Sequence, residues 1–328
     1  MPVRDLSVET RPTKEVVVSS LTRDASVAAC IFDLIDNSID AARAVLVPMG
    51  DDEKDDFGLP KSYGGIQIDV DIGRNGVVVS DNCDGISSEE LSKSVLRFGV
   101  RSKQPFGIGL YGVGLNRAIF KLGDRTELDS DNGSERVALN FLASEYLASP
   151  EWDLPAKALV SRGKPGTKIA ISAPPKNVSK FISDRVWIDD FINESGKRYH
   201  RFVEKGLALR INKTEVKPVF IRLRENGPFP CRHKSYTTDD GVNVFLEAGQ
   251  HQSHRFPAEE DFDRSTNNQL TDQYGWSVSC NDRLIVMCDT SEKTGWDKKW
   301  HPEFNGFVGY VWFTAEDGSS LPWNTSKS

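Results

Sequence analysis

The segment at residues 24–47 constrains the chain most. Ile31, Leu34, Ile35, Ser38, Ala42 and Val45 recur at steps of three and four residues, the period of one helix face. Asp33, Asp36, Asn37 and Asp40 share a polar stripe on the same helix. Asp24 or Ser26 is placed to cap it, and Pro48 lies just past its end. Asp33 and Asn37 are four apart and so lie on one face. A carboxylate there can orient and deprotonate a water. An amide oxygen one turn on can bind a hard cation such as Mg²⁺.

The next residues, 49–62, are acidic and turn-rich and read as an exposed loop. Residues 65–72 alternate like a half-buried strand, Arg74-Asn75-Gly76 is a hairpin turn signal, and residues 76–80 are the returning strand. That strand runs into Asp81-Asn82-Cys83-Asp84-Gly85-Ile86. An ionised Asp only accepts hydrogen bonds, so it can take the exocyclic amine of adenine and repel the carbonyl of guanine. Gly85 lets the backbone pass close to a base. Ser87 or Ser88 caps a short helix reaching about Leu96.

A glycine-rich stretch at residues 98–114 leads into a helix at 115–122. Glycines before a helix start expose N–H groups to phosphate, and the helix dipole favours the anion. No Gly-Lys-Ser/Thr follows, so this is not a P-loop, and no clean strand precedes it as in a dinucleotide fingerprint. Strands and loops alternate over 125–171, with a turn at 162–166. Composition changes at Ala173-Pro174-Pro175, which places a domain boundary near 176 with an α+β reading on both sides. Beyond it a helix is expected at 180–203, strands at 207–212 and 216–223, a polar loop at 251–274, and further strands to the end.

Lys plus Arg number 41 against 48 Asp plus Glu, a net charge of −7, which argues against a broad basic coat for nucleic acid. The sequence carries no membrane-length apolar run, and its start has no signal-peptide pattern. Five scattered cysteines without a C-x-x-C point to reduced thiols in a cytosol and away from zinc. His251 and His254 lack a second pair at ligand spacing. Trp296, Trp300, Trp312 and Trp323 read as core or interdomain packing, and Lys197, Arg198 and Arg201 as a solvated helix face.

Each motif alone also fits a solvated stripe, an acidic turn or a plain loop; together they are ordered. DLIDNSIDA (residues 33–41) resembles the N box of the GHKL ATPase superfamily of gyrase, the heat-shock chaperone, histidine kinases and MutL. DNCDGI (81–86) resembles its D-x-G-x-G box, GLYGVGLNRA (109–118) its glycine box, and Gly166-Thr167 its last box. RFGVRSK (97–103) is most similar to the MORC and bacterial MORC-like branch. The second half, with Ile211 to Pro218 and Asn324-Thr325-Ser326-Lys327, looks like a transducer domain.

The resemblance implies an α+β, Bergerat-type sandwich at 1–175 and a transducer-like domain at 176–328. It implies ATP and Mg²⁺ as cofactors. Asp33 would be the general base and Asn37 the Mg²⁺ ligand. Asp81 would read adenine, helped by Thr167, with Gly85 and Ile86 beside the base. Gly109, Gly112, Val113, Gly114 and Leu115 would face the phosphates. Residues 98–107 would form a lid with Ser102 and Lys103 near the phosphates, and Lys327 would sense the γ-phosphate. ATP would close the lid and drive N-terminal dimerisation, as the module of a larger DNA-linked or phage-defence protein whose effector segment follows. DNA is not indicated by this segment. The alternatives are an ATP-holding module with little turnover and a chaperone ATPase.

Two positions depart from the family pattern. Asp33 stands where Glu is usual and is one methylene shorter; a misplacement of about 1 Å can cost on the order of 10²-fold. Cys83 replaces a glycine and is tolerated unless φ is positive there.

Overall fold

The computed structural model describes residues 6–102, 104–109, 112–297 and 300–323. A first helix, α1 (Lys14–Thr22), contains Val16, Val17 and Val18, which have low helix propensity. Docking holds it: Val18 is buried and Lys14 Nζ donates to the carbonyls of Tyr146 and Ser149. The expected long helix is α2 (Val27–Leu46), capped by Ser26, whose hydroxyl accepts from Ala29 N.

The hairpin β1 (Gln67–Gly73) and β2 (Gly76–Asp81) is in register from Ile68–Asp81 to Gly73–Gly76. Ile68, Val70, Val77 and Val79 enter one core with Ile31, Leu34 and Ile35 of α2. Next come α3 (Ser88–Glu90), with Ser87 and Glu90 forming a capping box, a π turn at Leu91–Val95, and α4 (Gly114–Leu122). Strands β3 (Arg125–Asp131) and β4 (Glu135–Leu142), helix α5 (Ala143–Ala148), and strands β5 (Ala156–Val160) and β6 (Gly166–Ser172) follow.

Beyond residue 175 lie α6 (Lys176–Ile182), α7 (Arg185–Arg198), α8 (His200–Glu204), β7 (Ala208–Ile211) and β8 (Thr214–Glu215). The eight-stranded sheet has the order β5-β4-β3-β6-β2-β1-β7-β8. Its β1–β7 pair is parallel and the others are antiparallel. This is a mixed α/β fold with helices packed on a large mixed sheet. Residue 176 falls between β6 and α6, and the helices and β7 after it join the first sheet and its core through Tyr199, Phe202 and Leu209.

The second sheet comprises β9 (Arg232–Thr237), β10 (Asn243–Gln250), β11 (Gly275–Cys280), β12 (Arg283–Asp289) and β13 (Phe307–Thr314), in the order β12-β11-β13-β10-β9.

Three local expectations differ from the structure. The helix at 180–203 is three helices, because Asp184 accepts from Val186 N and starts a new one. Residues 216–223 are not a strand. Pro218 lacks a ladder donor, Val219 N turns to Gly196 O, and Ile221 N donates to the Tyr310 hydroxyl. In the loop at 49–62, Leu59 is buried and Asp55 pairs with Lys205.

His251 and His254 are buried too, against Gln273 and Tyr274, and burial lowers the pKa of both. A short helix α9 (Arg264–Asn268) interrupts the polar loop that contains them. Trp296 and Trp300 pack edge to face, Trp312 stacks on Tyr310, and Trp323 joins the main core. Among the described residues no helix is long and apolar enough to cross a membrane.

Candidate functional site

A cavity of about 230 Å³ lies between α2, the end of β2, β6 and the start of α4. The sequence motifs converge on it. From α2 come Asp33, Asn37 and Ser38; from the end of β2, Asp81; from the turn after it, Gly85 and Ile86; from β6, Thr167. Gly109, Gly112, Val113, Gly114 and Leu115 complete the wall. Ser102 is exposed, is not part of this lining, and accepts from Gln104 N. Lys103 and Lys327 lie outside the described residues.

Asp81 sits in a ring of donors. Its Oδ2 accepts from Ser38 Oγ (2.7 Å), and its Oδ1 from Cys83 N (3.1 Å) and Thr167 N (3.2 Å). Burial raises its pKa, and these bonds oppose the shift. The Thr167 hydroxyl pairs with Ser130 Oγ at 2.7 Å, and Ser130 also accepts from Ile86 N. Cys83 is not among the positive-φ residues, so the glycine usual there is dispensable; its buried thiol, pushed up in pKa, donates to Ser38 O.

Gly85 does need to be glycine. Its φ is +78°, and a Cβ would lie 2.0 Å from Asp131 O. The close approach seen is therefore to a backbone carbonyl of β3. Gly112, at φ +60°, would likewise place a Cβ 1.9 Å from Val100 O.

The glycine stretch is tied to α2. Asp40 accepts from Ile108 N (2.8 Å) and Gly109 N (2.6 Å). Gly114 packs against the Asp33 side chain, where a Cβ would come 3.1 Å from Cγ. Val113, the N-cap of α4, makes no side-chain cap to the first-turn N–H groups. Such N–H groups, with the helix dipole behind them, suit an anion.

Asp33 is held by an arginine that sequence reasoning did not single out. Arg117 Nε and Nη2 both donate to Asp33 Oδ2, at 2.8 and 2.5 Å, and both side chains are largely buried. Ser38 lies five residues along α2 from Asp33, roughly 7.5 Å of axial rise. The cavity thus places the Asp81 acceptor one to two turns from the Asp33–Arg117 pair, with the glycine wall beside them. Arg117 stands inside the glycine motif and Asp40 inside the polar stripe of α2; spacing showed neither their partners nor Ser130.

Residues 25–163 match the family model described as Histidine kinase-, DNA gyrase B-, and HSP90-like ATPase. A search of curated proteins gave no match. The matched segment begins just before α2, ends just past β5, and contains every cavity motif except that of β6. The family match and the cavity together support a GHKL-type ATP-binding domain in this part of the chain.

Proposed function

We propose that the chain binds ATP with Mg²⁺ in this cavity and hydrolyses it as a conformational switch. The observation that carries this reading is Asp81, an acceptor fixed by Ser38, Cys83 and Thr167 on the wall that also presents the glycines. In this reading Asp81 takes the adenine amine, with Gly85, Ile86 and Thr167 beside the base. The N–H groups of Gly109, Gly112, Val113, Gly114 and Leu115 face the phosphates.

The donor set fits a hydrated magnesium ion: Asn37 supplies one amide oxygen from the cavity wall, and Mg²⁺ usually keeps several waters and phosphate oxygens. When bound, the ion neutralises charge on the phosphates. Asp33 orients the attacking water and accepts its proton. ATP closes residues 98–107, with Ser102 and Lys103 approaching the phosphates, and pairs two N-terminal halves. The segment from 176, with Lys327 as its γ-phosphate contact, relays the change as a transducer to an effector in a DNA-linked or phage-defence protein.

The test is steady-state turnover with Mg²⁺. Wild type is expected to turn over slowly, and Asp33→Asn to lose on the order of 10²-fold or more while still binding ATP. Lys327→Ala is expected to lower turnover, and a non-hydrolysable ATP analogue to convert monomer to dimer in light scattering. Equal turnover in wild type and Asp33→Asn contradicts the reading.

A second reading, nucleotide binding with little turnover, is favoured by the two-pronged Arg117 grip on the already short Asp33. It predicts near-zero wild-type turnover and a gain of orders of magnitude in Asp33→Glu.

A further inference from the structure

A second cavity, of about 720 Å³, lies on the other side of α4 and is within the range of small-molecule sites. Its walls include five aromatic rings, Phe98, Phe120, Phe141, Tyr146 and Trp152, with Lys93, Arg97, Asp153 and Lys157 also in the lining. Phe120 stacks near Phe98 and Tyr146, with ring centroids 6.2 and 5.8 Å apart, and Trp152 stands edge-on to Phe98. Lys14 fixes this wall by donating to the Tyr146 carbonyl with its ammonium over the Tyr146 ring.

One polar group in the wall is unsatisfied. Asn116 is 3% exposed and lines the cavity, yet among the described residues its Nδ2 has no hydrogen-bond partner. A buried amide donor without a partner is costly, and natural structures rarely leave one unpaired without a reason. Asn116 and Phe120 are four apart on one face of α4, while Gly114 and Arg117 face the first cavity. The π turn at Leu91–Val95 supplies Leu91, Ser92, Lys93 and Ser94 to the lining, and π turns are frequent at functional sites.

We propose that this cavity is a second binding site, for a flat aromatic ligand carrying a carbonyl-type acceptor for the Asn116 amide. The aromatic rings suit a flat apolar body, and the Asn116 donor fixes its polar end. The site does not depend on the nucleotide reading of the first cavity.

The probe is prodan, a naphthyl ketone whose emission reports polarity and hydrogen bonding. It is titrated into the full chain and into two variants. Wild type is expected to bind one equivalent saturably with a blue-shifted emission. Ala158→Trp, on the exposed edge strand lining the cavity, is expected to fill the space and abolish that binding. Asn116→Leu is expected to fold, by circular dichroism, and to weaken binding about tenfold, the worth of one hydrogen bond. Unsaturable binding, or binding unchanged in Ala158→Trp, overturns the site. Loss in Ala158→Trp with unchanged affinity in Asn116→Leu overturns the proposed ligand chemistry.

Discussion

Asp81 and Asp33 are both acidic residues in the lining of the first cavity, yet their surroundings differ. Asp81 is ringed by neutral donors, which orient a carboxylate without neutralising it. Asp33 is met by a guanidinium, which does neutralise it. The sequence made both acids visible through spacing, but Arg117 is three residues beyond Gly114 and meets Asp33 only because α4 packs across α2. Reading adenine requires an ionised Asp81, since a protonated carboxyl presents a donor to the amine. Burial raises its pKa, so ATP affinity is expected to fall on acidification with a midpoint above the ordinary carboxylate value of about 3.9. Calorimetric Kd values across pH check this.

At the scale of elements, α2 and the β1–β2 hairpin follow from local pattern, because one face of each is apolar and each end has its capping or turn residue. The 216–223 segment does not follow. It alternates well enough for a strand, but Pro218 and the pull of Gly196 O and Tyr310 turn it aside, and those partners are distant in sequence. The glycine stretch was legible as a loop before a helix, but not its anchor. Asp40 holds two successive N–H groups of that loop. Asp40→Ala is expected to speed hydrogen exchange at Ile108 and Gly109 and to weaken ATP binding about tenfold, two hydrogen bonds to a charged group being lost. Gly112→Ala is expected to destabilise the chain by about 1–3 kcal/mol in urea unfolding, because a side chain there is strained in φ and meets Val100 O.

At the scale of the molecule, the two sheets are locked through buried charge that periodicity does not show. Arg283, at the start of β12, donates to both oxygens of Asp36 at 3.0 Å, and Tyr199 donates to the same carboxylate. Arg43, fully buried, donates to Phe106 O within the glycine stretch and to Asn281 O in the second sheet's turn. The far end of residues 98–107 is thereby tied to α2 and to the second sheet, the contact through which a nucleotide-driven change would pass. Arg283→Met leaves Asp36 without its guanidinium and is expected to cost about 3–5 kcal/mol in urea unfolding.

Asp282 adds a pH signature to this junction. Burial pushes its pKa up, but Lys205, Arg201 and Arg43 outweigh that and hold it below the ordinary value. A depressed carboxylate pKa contributes stability that is present above the unfolded value of about 3.9 and lost as pH falls through the folded one. Stability is therefore expected to drop below about pH 4, and Asp282→Asn to flatten that drop, in unfolding measured against pH.

Asp81 and the glycine wall make the first cavity a candidate nucleotide site. The most direct test is calorimetric titration of ATP with Mg²⁺ into wild type and Asp81→Asn. One ATP is expected to bind per wild-type chain and, in Asp81→Asn, to bind more weakly by about a hundredfold or more, because an amide donor would face the adenine amine. No binding to wild type, or equal binding to both, would contradict it.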